Sequence, residues 1–539
     1  SMTLSIMTLL VMNSCSPAPE RPDSENILWY DEPAQAWEET LPLGNGRLGL
    51  MPDGGIDHET FILNEITMWS GCETDYSNPD AAESLPLIRQ LLSEGRNAEA
   101  QKVMYERFVP KKQTDGGTYG SYQALGALEI SHILKDSLDL TSCYRRELDL
   151  RTATASSKFT KGGITYERKS YVSRTYDIMA IHLSASEKGA VCSDVRLHRG
   201  RTAVSEAIGN DMLRIGGSLD SGSGKPGMRY AAYARVLADG REASVSSSDG
   251  CIEIRNADNA WVIISAATDY FEGDGYDSRA MSLLDNFCKK MESGPMKAER
   301  MYRESVTAHK DLYDRAWVSF RNGPEAGSEN LPTDERIEAY KDGSKDNSLA
   351  ALYYNYGRYL LIGSARPGCL PPNLQGLWAN TFQTPWNGDY HTNINVQMNH
   401  WIAEQGNLSE LHEPLIDLVM RLIPSGEKSA KDFYGPEAEG WVLHMMTNVW
   451  NYTAPGEHPS WGATNTGGAW LCAHLWEHYE YTGDKDYLAE VYPAMEGAAR
   501  FFLSTMIHEP ENGWLVTGPT SSPENEFICG GQRVSICLG

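Results

Sequence analysis

The chain has 539 residues, of which 73 are acidic and 47 are basic, and its formal net charge is −26. This length exceeds the roughly 250–300 residues at which single hydrophobic cores stop growing, so we expect two or three domains. The acidic balance disfavours nucleic acid and anionic lipid surfaces as partners and leaves uncharged ligands as the best match.

Residues 1–26 are predicted to form a leader and a tether. Residues 6–12 are a short apolar run, too short to span a membrane, and Cys15 follows small residues as at a bacterial lipoprotein cleavage site. Residues 16–26 are polar and rich in proline, as in a flexible tether. We therefore expect export to the periplasm or the outer membrane, with Cys15 as a candidate lipid anchor and no membrane span. A disordered leader without this role is the alternative.

Residues 27–272 are predicted to form a β-sandwich. Short runs with alternating apolar residues, such as Ile164–Ser173 and Ala260–Ala267, are separated by clusters of Gly, Asp and Ser. Many short strands at near-regular spacing are typical of two packed sheets. One helical insertion is expected over Leu85–Met104.

Residues 273–335 are predicted to be a helical linker, because apolar residues such as Leu284, Phe287 and Met291 recur at helical spacing within a charged stretch. Residues 336–539 are predicted to be mostly helical. The clearest helical patterns cover Ala350–Gly363, Leu411–Leu422, Gly468–Tyr481 and Tyr487–Ser504. Helices joined by long loops favour a helical toroid with a central well. A closed barrel of six helix pairs needs twice the roughly six helices that the pattern indicates. This domain is therefore expected to be cut near its middle at Gly539.

Aromatic and cysteine content bear on the ligand class. The chain has 14 Trp and 27 Tyr, and Trp is dense between Trp378 and Trp514. Sugar rings present C–H faces that pack on indoles, so this composition favours carbohydrate, although core packing accounts for any single Trp equally well. The ten cysteines show no zinc-type spacing, and the sequence has no EF-hand loop, so neither a metal nor a cofactor is expected.

Hydrolysis of a glycosidic bond needs a proton donor for the leaving oxygen. The best candidate is Glu524, in a loop that two prolines stiffen. Ser521, Ser522 and Asn525 are expected to orient its carboxyl group through local hydrogen bonds. Apolar neighbours such as Trp514 are expected to raise the pKa of Glu524 by desolvation and keep it protonated. The alternative is a carboxylate that only caps or pairs within an ordinary loop.

Hydrolysis with inversion also needs a group that activates water on the opposite face of the sugar. Asn393 and Asn395 lie two residues apart, so an extended backbone would place both amides on one side. An amide oxygen can orient a water molecule but cannot take its proton, so a carboxylate must supply the basicity, and Asp389 is the local candidate. The alternative is an Asn-rich loop that satisfies its own turns and caps.

Seven motifs occur in a fixed order between about residue 28 and the end of the sequence. They are Leu41–Gly49, Leu63–Gly71, Asn373–Trp378, Asp389–Asn399, Gly467–Tyr479, Tyr481–Asp484 and Ser522–Asn525. Together they resemble glycoside hydrolase family 95, the inverting α-L-fucosidases. Several long motifs in the same order make this resemblance far more specific than one short pattern.

The resemblance implies an N-terminal β-sandwich, a helical linker, an (α/α)6 catalytic barrel and a C-terminal β-domain. It implies an exo-acting hydrolase that releases terminal α-linked L-fucose from glycans, with α-1,2 links expected. Glu524 corresponds to the general acid, and Asn393 and Asn395 correspond to the residues that position the water. The Asp that makes this water basic is expected beyond Gly539, so residues 1–539 alone are expected to show little or no activity.

Four further residues are candidate substrate contacts. His391 shares a face with Asn393 in an extended backbone, and it is expected near the C6 methyl group of the sugar. Trp386, Trp461 and Trp470 are candidates for stacking on a sugar ring, with core packing as the alternative for each. In the β-sandwich, Asn64 and Glu65 are expected to support the domain interface.

Two other functions stay open. The same machinery could act on α-linked L-galactose, which differs from L-fucose by one hydroxyl group at C6. A catalytically inactive carbohydrate-binding fragment is the second, although a binding protein has no need of a proton donor such as Glu524. A related barrel phosphorylase is disfavoured, because the loops contain no basic cluster that would hold phosphate.

Overall fold

The computed structural model describes residues 23–112, 114, 116–135, 140–200, 203, 205–291, 295–320, 322–323 and 327–539. The predicted leader, with its apolar run 6–12 and Cys15, lies outside the described residues. Across the described ranges, none of the helices is both long enough and apolar enough to cross a membrane.

The N-terminal half of the described chain consists mainly of antiparallel strands, as predicted. In chain order they are β1 (Ile27–Tyr30), β2 (Leu43–Gly44), β3 (Leu48–Pro52), β4 (His58–Glu65), β5 (Gly126–His132), β6 (Ser142–Asp149), β7 (Thr154–Lys161), β8 (Ile164–Ser173), β9 (Ile178–Ala185), β10 (Val191–His198), β11 (Glu206–Ile208), β12 (Met212–Asp220), β13 (Pro226–Asp239), β14 (Ser244–Ser248), β15 (Cys251–Ala257) and β16 (Asn259–Thr268). They form a nine-stranded sheet in the order β1-β6-β7-β8-β9-β16-β13-β12-β11 and a seven-stranded sheet in the order β14-β15-β10-β5-β4-β3-β2.

The central strand β16 shows how the sequence builds this domain. It lies between β9 and β13, and it is buried along almost its whole length. Val262 and Ile264 face the core that the two sheets share, whereas Ile263 faces the opposite side, towards a helix that packs on the sheet. A strand that is covered on both faces needs a nearly continuous apolar run, which explains the pattern of residues 260–267.

Two helices lie between β4 and β5, where the sequence predicted one. They are α1 (Pro79–Ser93) and α2 (Asn97–Arg107). The expectation of a single helix over Leu85–Met104 is wrong, because Gly95 adopts a left-handed conformation with φ of 70° and ends the first helix.

The remaining chain is mostly helical. Its helices are α3 (Asp269–Glu272), α4 (Tyr276–Met291), α5 (Pro295–Tyr313), α6 (Thr333–Lys341), α7 (Asn347–Ser364), α8 (Asn395–His400), α9 (Ile402–Gln405), α10 (Glu413–Tyr434), α11 (Pro459–Gly462), α12 (Gly467–Thr482) and α13 (Lys485–Thr505). Short strand pairs join β17 (Tyr390–His391) to β18 (Met446–Thr447), β19 (Ile507–His508) to β20 (Leu515–Val516), β21 (Thr520–Ser521) to β24 (Ile536–Cys537), and β22 (Phe527–Cys529) to β23 (Gln532–Val534).

The strongest helical patterns of the sequence correspond to α7, α10, α12 and α13. Helix α4 buries Leu284, Phe287 and Met291 against the outer face of the nine-stranded sheet, as its spacing predicted for a linker helix. A β-sheet domain is therefore followed by a helical one. The exact domain boundaries at residues 27, 273 and 336 stay predictions.

Candidate functional site

Two of the motifs quoted above lie against each other at the start of the helical domain. The backbone N–H of Leu374 donates to the carbonyl of Asp389 at 3.0 Å, and the side-chain amide of Asn399 donates to the carbonyl of Asn373 at 3.1 Å. Strand β17 pairs Tyr390 and His391 with β18. Segments far apart in the sequence thus form one polar surface around residues 389–395.

Asp389 and His391 form a hydrogen-bonded pair at the centre of this surface. The Nδ1 atom of His391 lies 2.5 Å from Oδ1 of Asp389, and the hydroxyl of Tyr119 donates to Oδ2 of the same carboxylate at 2.7 Å. Asp389 is 1% exposed and Tyr119 is 0% exposed. Since both carboxylate oxygens accept hydrogen bonds from protein donors, Asp389 is arranged to orient His391. This arrangement does not match the local base that sequence reasoning proposed for a water molecule.

The charge on His391 connects this pair to Glu524. Burial alone would lower the pKa of His391, but the hydrogen bond and the negative charge of Asp389, together with the charge of Glu524, raise it above its ordinary value. An electrostatic contribution of this kind requires Glu524 to lie near the imidazole. Asp389 and His391 are therefore in direct contact, and the charge of Glu524 acts on the same imidazole.

The surroundings of Glu524 differ from those expected. Glu524 is exposed, and Trp514 is 68% exposed, so the predicted desolvation by Trp514 is wrong. Asn525 bonds Ser522 through its backbone N–H at 2.7 Å and through its side chain at 3.3 Å. Ser522 and Asn525 are therefore bonded to each other, in contrast to the expected bonds to the acid. The loop lies at the surface of the described chain, where water competes for these contacts.

The predicted extended arrangement of Asn393 and Asn395 is also wrong. Strand β17 ends at His391, residues 392–394 form a turn, and Asn395 is the first residue of α8. Thr392, the first residue of this turn, is held by its hydroxyl, which donates to the carbonyl of His444 at 2.5 Å. The two-residue spacing therefore does not put both amides, or His391 with Asn393, on one face of a strand.

Three buried oxygens near these segments have no hydrogen-bond partner within the described part of the chain. They are Oδ1 of Asn393, Oγ1 of Thr447 on β18 and Oγ of Ser521 on β21. Buried polar atoms are nearly always satisfied, so unpaired ones mark places where a ligand or water completes the bonding. Each of the three oxygens can accept a hydrogen bond from a water molecule or from a ligand hydroxyl group.

The three tryptophan candidates lie in different environments. Trp386 is 73% exposed and has a left-handed backbone with φ of 49°, so its ring is free to meet a ligand. Trp470 on α12 is 37% exposed. Trp461 packs into the core beneath α2, with its ring against Gly456. Trp461 is thus half-buried against a core cluster, and sugar stacking by Trp386, Trp461 and Trp470 stays a prediction for each.

Loop 119–124 of the β-sheet domain supports the segment that carries the site. The backbone N–H groups of Tyr122 and Ala124 donate to the carbonyls of Asn387 at 2.8 Å and Thr381 at 2.9 Å. The hydroxyl of Tyr122 also donates to the carbonyl of Leu377 at 2.5 Å. The sequence did not single out Tyr119 or this loop as functional. The Gly and Tyr residues are typical of a loop, but nothing in the sequence identified a partner some 260 residues away.

The expected interface roles of Asn64 and Glu65 have different outcomes. The Asn64 amide donates to the carbonyl of Ala379 at 2.9 Å, across the interface, as predicted. Glu65 instead bonds Arg47 at 3.2 Å and the backbone N–H of Thr67 at 2.7 Å, inside the β-sheet domain, so its expected interface role is wrong.

One buried cluster in the helical domain has metal-ligand chemistry. Oε1 of Glu404 lies 2.8 Å from Nδ1 of His412 and 2.7 Å from Nδ1 of His478, and Ser409 bonds the other oxygen at 2.5 Å. Two ligands held at ~2.0–2.1 Å by one tetrahedral ion lie about 3.3 Å apart, so these spacings are those of hydrogen bonds. Nδ1 of His474 in turn contacts Nε2 of His412 at 2.9 Å. The cluster is a hydrogen-bond network that joins α9, α10 and α12.

Comparison with known proteins gives related results for both halves of the chain. Residues 297–539 match the glycosyl hydrolase family 95 catalytic domain, and residues 28–273 match the N-terminal domain of glycosyl hydrolase family 65. The chain is 33% identical over 527 residues to Alpha-L-fucosidase 2 of Arabidopsis thaliana, covering 93% of this chain and 61% of that protein. It is 31% identical over 521 residues to Probable alpha-fucosidase A of Aspergillus niger, covering 92% of this chain and 63% of that protein.

The chain therefore spans about three fifths of the length of these two curated relatives. Among solved structures, a putative kojibiose phosphorylase from the human microbiome matches with a TM-score of 0.56 at 11% identity. That match covers 93% of this chain and 62% of the other. At this identity the likeness concerns the fold alone.

Proposed function

We propose that the chain belongs to glycoside hydrolase family 95 and is an exo-acting hydrolase that releases terminal α-linked L-fucose from glycans. The observation that carries the proposal is the match of residues 297–539 to the glycosyl hydrolase family 95 catalytic domain, a range that contains Glu524 and the hydrogen-bonded Asp389–His391 pair. The names of the two curated relatives support fucose as the sugar.

In the proposed reaction, Glu524 donates a proton to the leaving oxygen, and water attacks the anomeric carbon from the opposite face with inversion. Asn393 and Asn395 position this water, and an Asp supplies its basicity. A carboxyl group exposed in the free protein is accessible to the glycosidic oxygen, and a bound glycan then excludes water from it. The proposed link is α-1,2 to galactose, and helices α7–α13 are proposed to belong to an (α/α)6 barrel.

The test is hydrolysis of 4-nitrophenyl α-L-fucoside and of an oligosaccharide with fucose α-1,2-linked to galactose. Proton NMR of the first product identifies its anomer, and β-L-fucose indicates inversion. Release of α-L-fucose would contradict the proposed stereochemistry, and absence of any fucose release by the protein would contradict the proposed activity.

An α-L-galactosidase is the nearest alternative, because the two sugars differ by one hydroxyl group at C6. Such a difference changes selectivity by only about 1–3 kcal/mol unless a polar group reads the hydroxyl. His391 is the residue expected near C6. Its pKa is raised, and its side chain is 14% exposed. Comparing kcat/KM on 4-nitrophenyl α-L-fucoside and α-L-galactoside separates the two functions.

A catalytically inactive carbohydrate-binding protein is the second alternative, and Glu524→Gln separates it from an enzyme. An enzyme loses turnover in this variant and keeps its affinity for L-fucose, whereas a binding protein shows no turnover in either form.

We also propose export with a lipid anchor at Cys15, on the sequence of residues 1–26 alone. Palmitate labelling of the wild type and of Cys15→Ala tests the anchor.

A further inference from the structure

Asp389 is a buried carboxylate whose bonds come from two domains. His391, its ion-pair partner in the described chain, follows two residues later in the helical domain, while Tyr119 reaches Asp389 from the β-sheet domain. Each donor occupies a different carboxylate oxygen, at 2.5 and 2.7 Å. A buried carboxylate that loses one of two such donors keeps an unsatisfied charged oxygen, which is costly in a site of low dielectric.

Tyr119 is itself fixed from both sides. Its ring meets Tyr452 edge to face at 5.1 Å between centroids, and its carbonyl accepts a hydrogen bond of 2.9 Å from the side chain of Asn448. Its hydroxyl is also 3.4 Å from the carbonyl of Thr447, on the strand that pairs with β17. The hydroxyl therefore has a defined position, and it transmits that position to Asp389.

The carboxylate in turn fixes the ring of His391. The Nδ1 atom donates to Asp389, so Nε2 is the nitrogen that remains for a ligand, and no hydrogen bond to Nε2 is formed by any residue the structure describes. Asp389 and Glu524 are the charged groups that act on this imidazole. The fixed acceptor at Nδ1 sets the orientation of the ring and so keeps Nε2 directed to the ligand.

We propose that Tyr119 is a positioning residue of the active site, which acts through the Asp389 carboxylate to hold the His391 imidazole with Nε2 towards the sugar. This inference rests on the proposed function and deepens it, because it makes the β-sheet domain a contributor to catalysis. The competing explanation is that Tyr119 only stabilises the domain interface.

Tyr119→Phe removes the hydroxyl and keeps the ring, and Tyr452→Phe is its matched control. Tyr452 is also buried, and its ring contacts that of Tyr119. Its hydroxyl donates to the carbonyl of Pro455, so Tyr452→Phe removes no bond to Asp389. We expect Tyr119→Phe to lower kcat/KM on 4-nitrophenyl α-L-fucoside roughly 10- to 100-fold, the loss expected for one hydrogen bond to a charged group. Tyr452→Phe should change it less than about threefold. Equal effects of the two variants on kcat/KM would overturn the proposal.

A second measurement does not depend on turnover. The protein is labelled at histidine Cε1 with carbon-13, and the resonance of His391 is identified by its loss in His391→Asn. Asp389→Asn should lower the pKa of His391, because it removes the charge that raises it. Tyr119→Phe should move this pKa upwards, since the unshared carboxylate charge then acts on the ring alone, and Tyr452→Phe should leave it unchanged.

The two measurements separate the inference from the proposed function. A wild type that neither binds nor hydrolyses fucosides would refute the function. The coupling would still hold if the pKa of His391 changed in Tyr119→Phe but not in Tyr452→Phe. If the wild type hydrolyses fucosides but the pKa of His391 is unchanged in both Tyr119→Phe and Asp389→Asn, the coupling is refuted and the function is kept.

Discussion

The Nε atom of Arg89 donates a hydrogen bond of 2.9 Å to the carbonyl oxygen of Gly518. Arg89 belongs to α1, inside the β-sheet domain, whereas Gly518 lies six residues before Glu524. Asn97 of α2 adds a bond of 2.8 Å to the carbonyl of Ile536, on the strand that pairs with β21. The helical insertion of the first domain thus supports the loop that carries the proposed general acid.

Replacing Glu524 by Gln should lower turnover most on substrates with a poor leaving group. A general acid contributes roughly 10²- to 10⁴-fold, and we expect this loss on an oligosaccharide. The loss should be smaller on 4-nitrophenyl α-L-fucoside, because nitrophenolate leaves with little need of a proton. Steady-state kinetics on both substrates measures the difference.

Glu526→Gln is the control for this prediction. Glu526 lies two residues away, is exposed and pairs with Arg533 at 3.4 Å. Its replacement should leave turnover within about twofold, since exposed ion pairs contribute little. Equal losses in both variants would show that the loop as a whole, and not this one carboxyl group, is required.

The two tryptophans at positions 386 and 461 should separate binding from stability. Trp386→Ala should raise KM roughly three- to tenfold through lost stacking, with the free energy of unfolding unchanged within about 0.5 kcal/mol. Trp461→Ala should lower the free energy of unfolding by about 2–4 kcal/mol, because its half-buried ring packs against a core cluster. Urea unfolding and KM are measured on both; a stability loss confined to Trp386→Ala would contradict both assignments.

Gly467 lies where a methyl group would disturb the turn that holds Asn393. A Cβ atom there would lie 2.5 Å from Oγ1 of Thr392 and would also clash with the carbonyl of His444. Thr392 would have to move, so we expect Gly467→Ala to lower both the unfolding free energy, by about 1–3 kcal/mol, and kcat/KM.

Gly357→Ala is the matched control for this substitution. Gly357 is inside helix α7, and a Cβ atom there would meet no atom within 4 Å apart from its chain neighbours and the backbone of its own helix. Alanine should therefore raise the unfolding free energy by about 0.5–1 kcal/mol and leave turnover unchanged. Thermal unfolding and kinetics of the pair test the prediction, which fails if Gly467→Ala is as active and as stable as the wild type.

The network around Glu404 should make the helical domain sensitive to acid. Burial alone would raise the pKa of Glu404, but hydrogen bonds from His412, His478 and Ser409 lower it from 4.5 to about 2. Burial lowers the pKa of His474 from 6.5 to about 4. Both folded pKa values are depressed, so the stability they contribute is present above the unfolded pKa values and is lost as pH falls. We expect the loss to begin near pH 6.5 and to continue towards pH 2.

Glu404→Gln should remove most of this dependence below pH 4.5 and cost about 3 kcal/mol at neutral pH, because an amide cannot accept all three bonds. Glu477→Gln on α12 removes a partly exposed carboxylate that bonds Gln405, and it is the control. Unfolding free energies between pH 3 and pH 8 measure both. An unfolding free energy for Glu404→Gln that still falls as steeply as that of the wild type below pH 4.5 would contradict this account.

The sequence predicted the sheet-rich and helical halves because each pattern is local. The apolar run of β16 and the apolar face of α4 depend on residues a few positions apart, and both elements are found where expected, although β16 is buried on both faces and does not alternate. The boundary of one helix was missed at Gly95, since a single glycine inside a helical pattern does not reveal whether its φ is positive.

The site was harder to predict, because its geometry depends on partners far away in the chain. Glu524, Asn393 and His391 were recognised by motif, but the extended backbone assumed for Asn393 and Asn395 was not found, as Thr392 bonds the carbonyl of His444. The role of Asp389 as an acceptor from Tyr119 depends on a contact across 270 residues. No periodicity or local propensity encodes such a contact.

The hydrogen bonds between loop 119–124 and residues 377–387 also constrain how such proteins can diversify. A β-sheet domain transplanted from a relative would bring its own version of this loop to an unmatched partner, so chimeras joined between the two domains should lose activity even when both parts fold. Activity should return when residues 377–391 are exchanged together with the loop. In this architecture the two segments then act as one structural unit, although they belong to different domains, and recombination that separates them should lower activity.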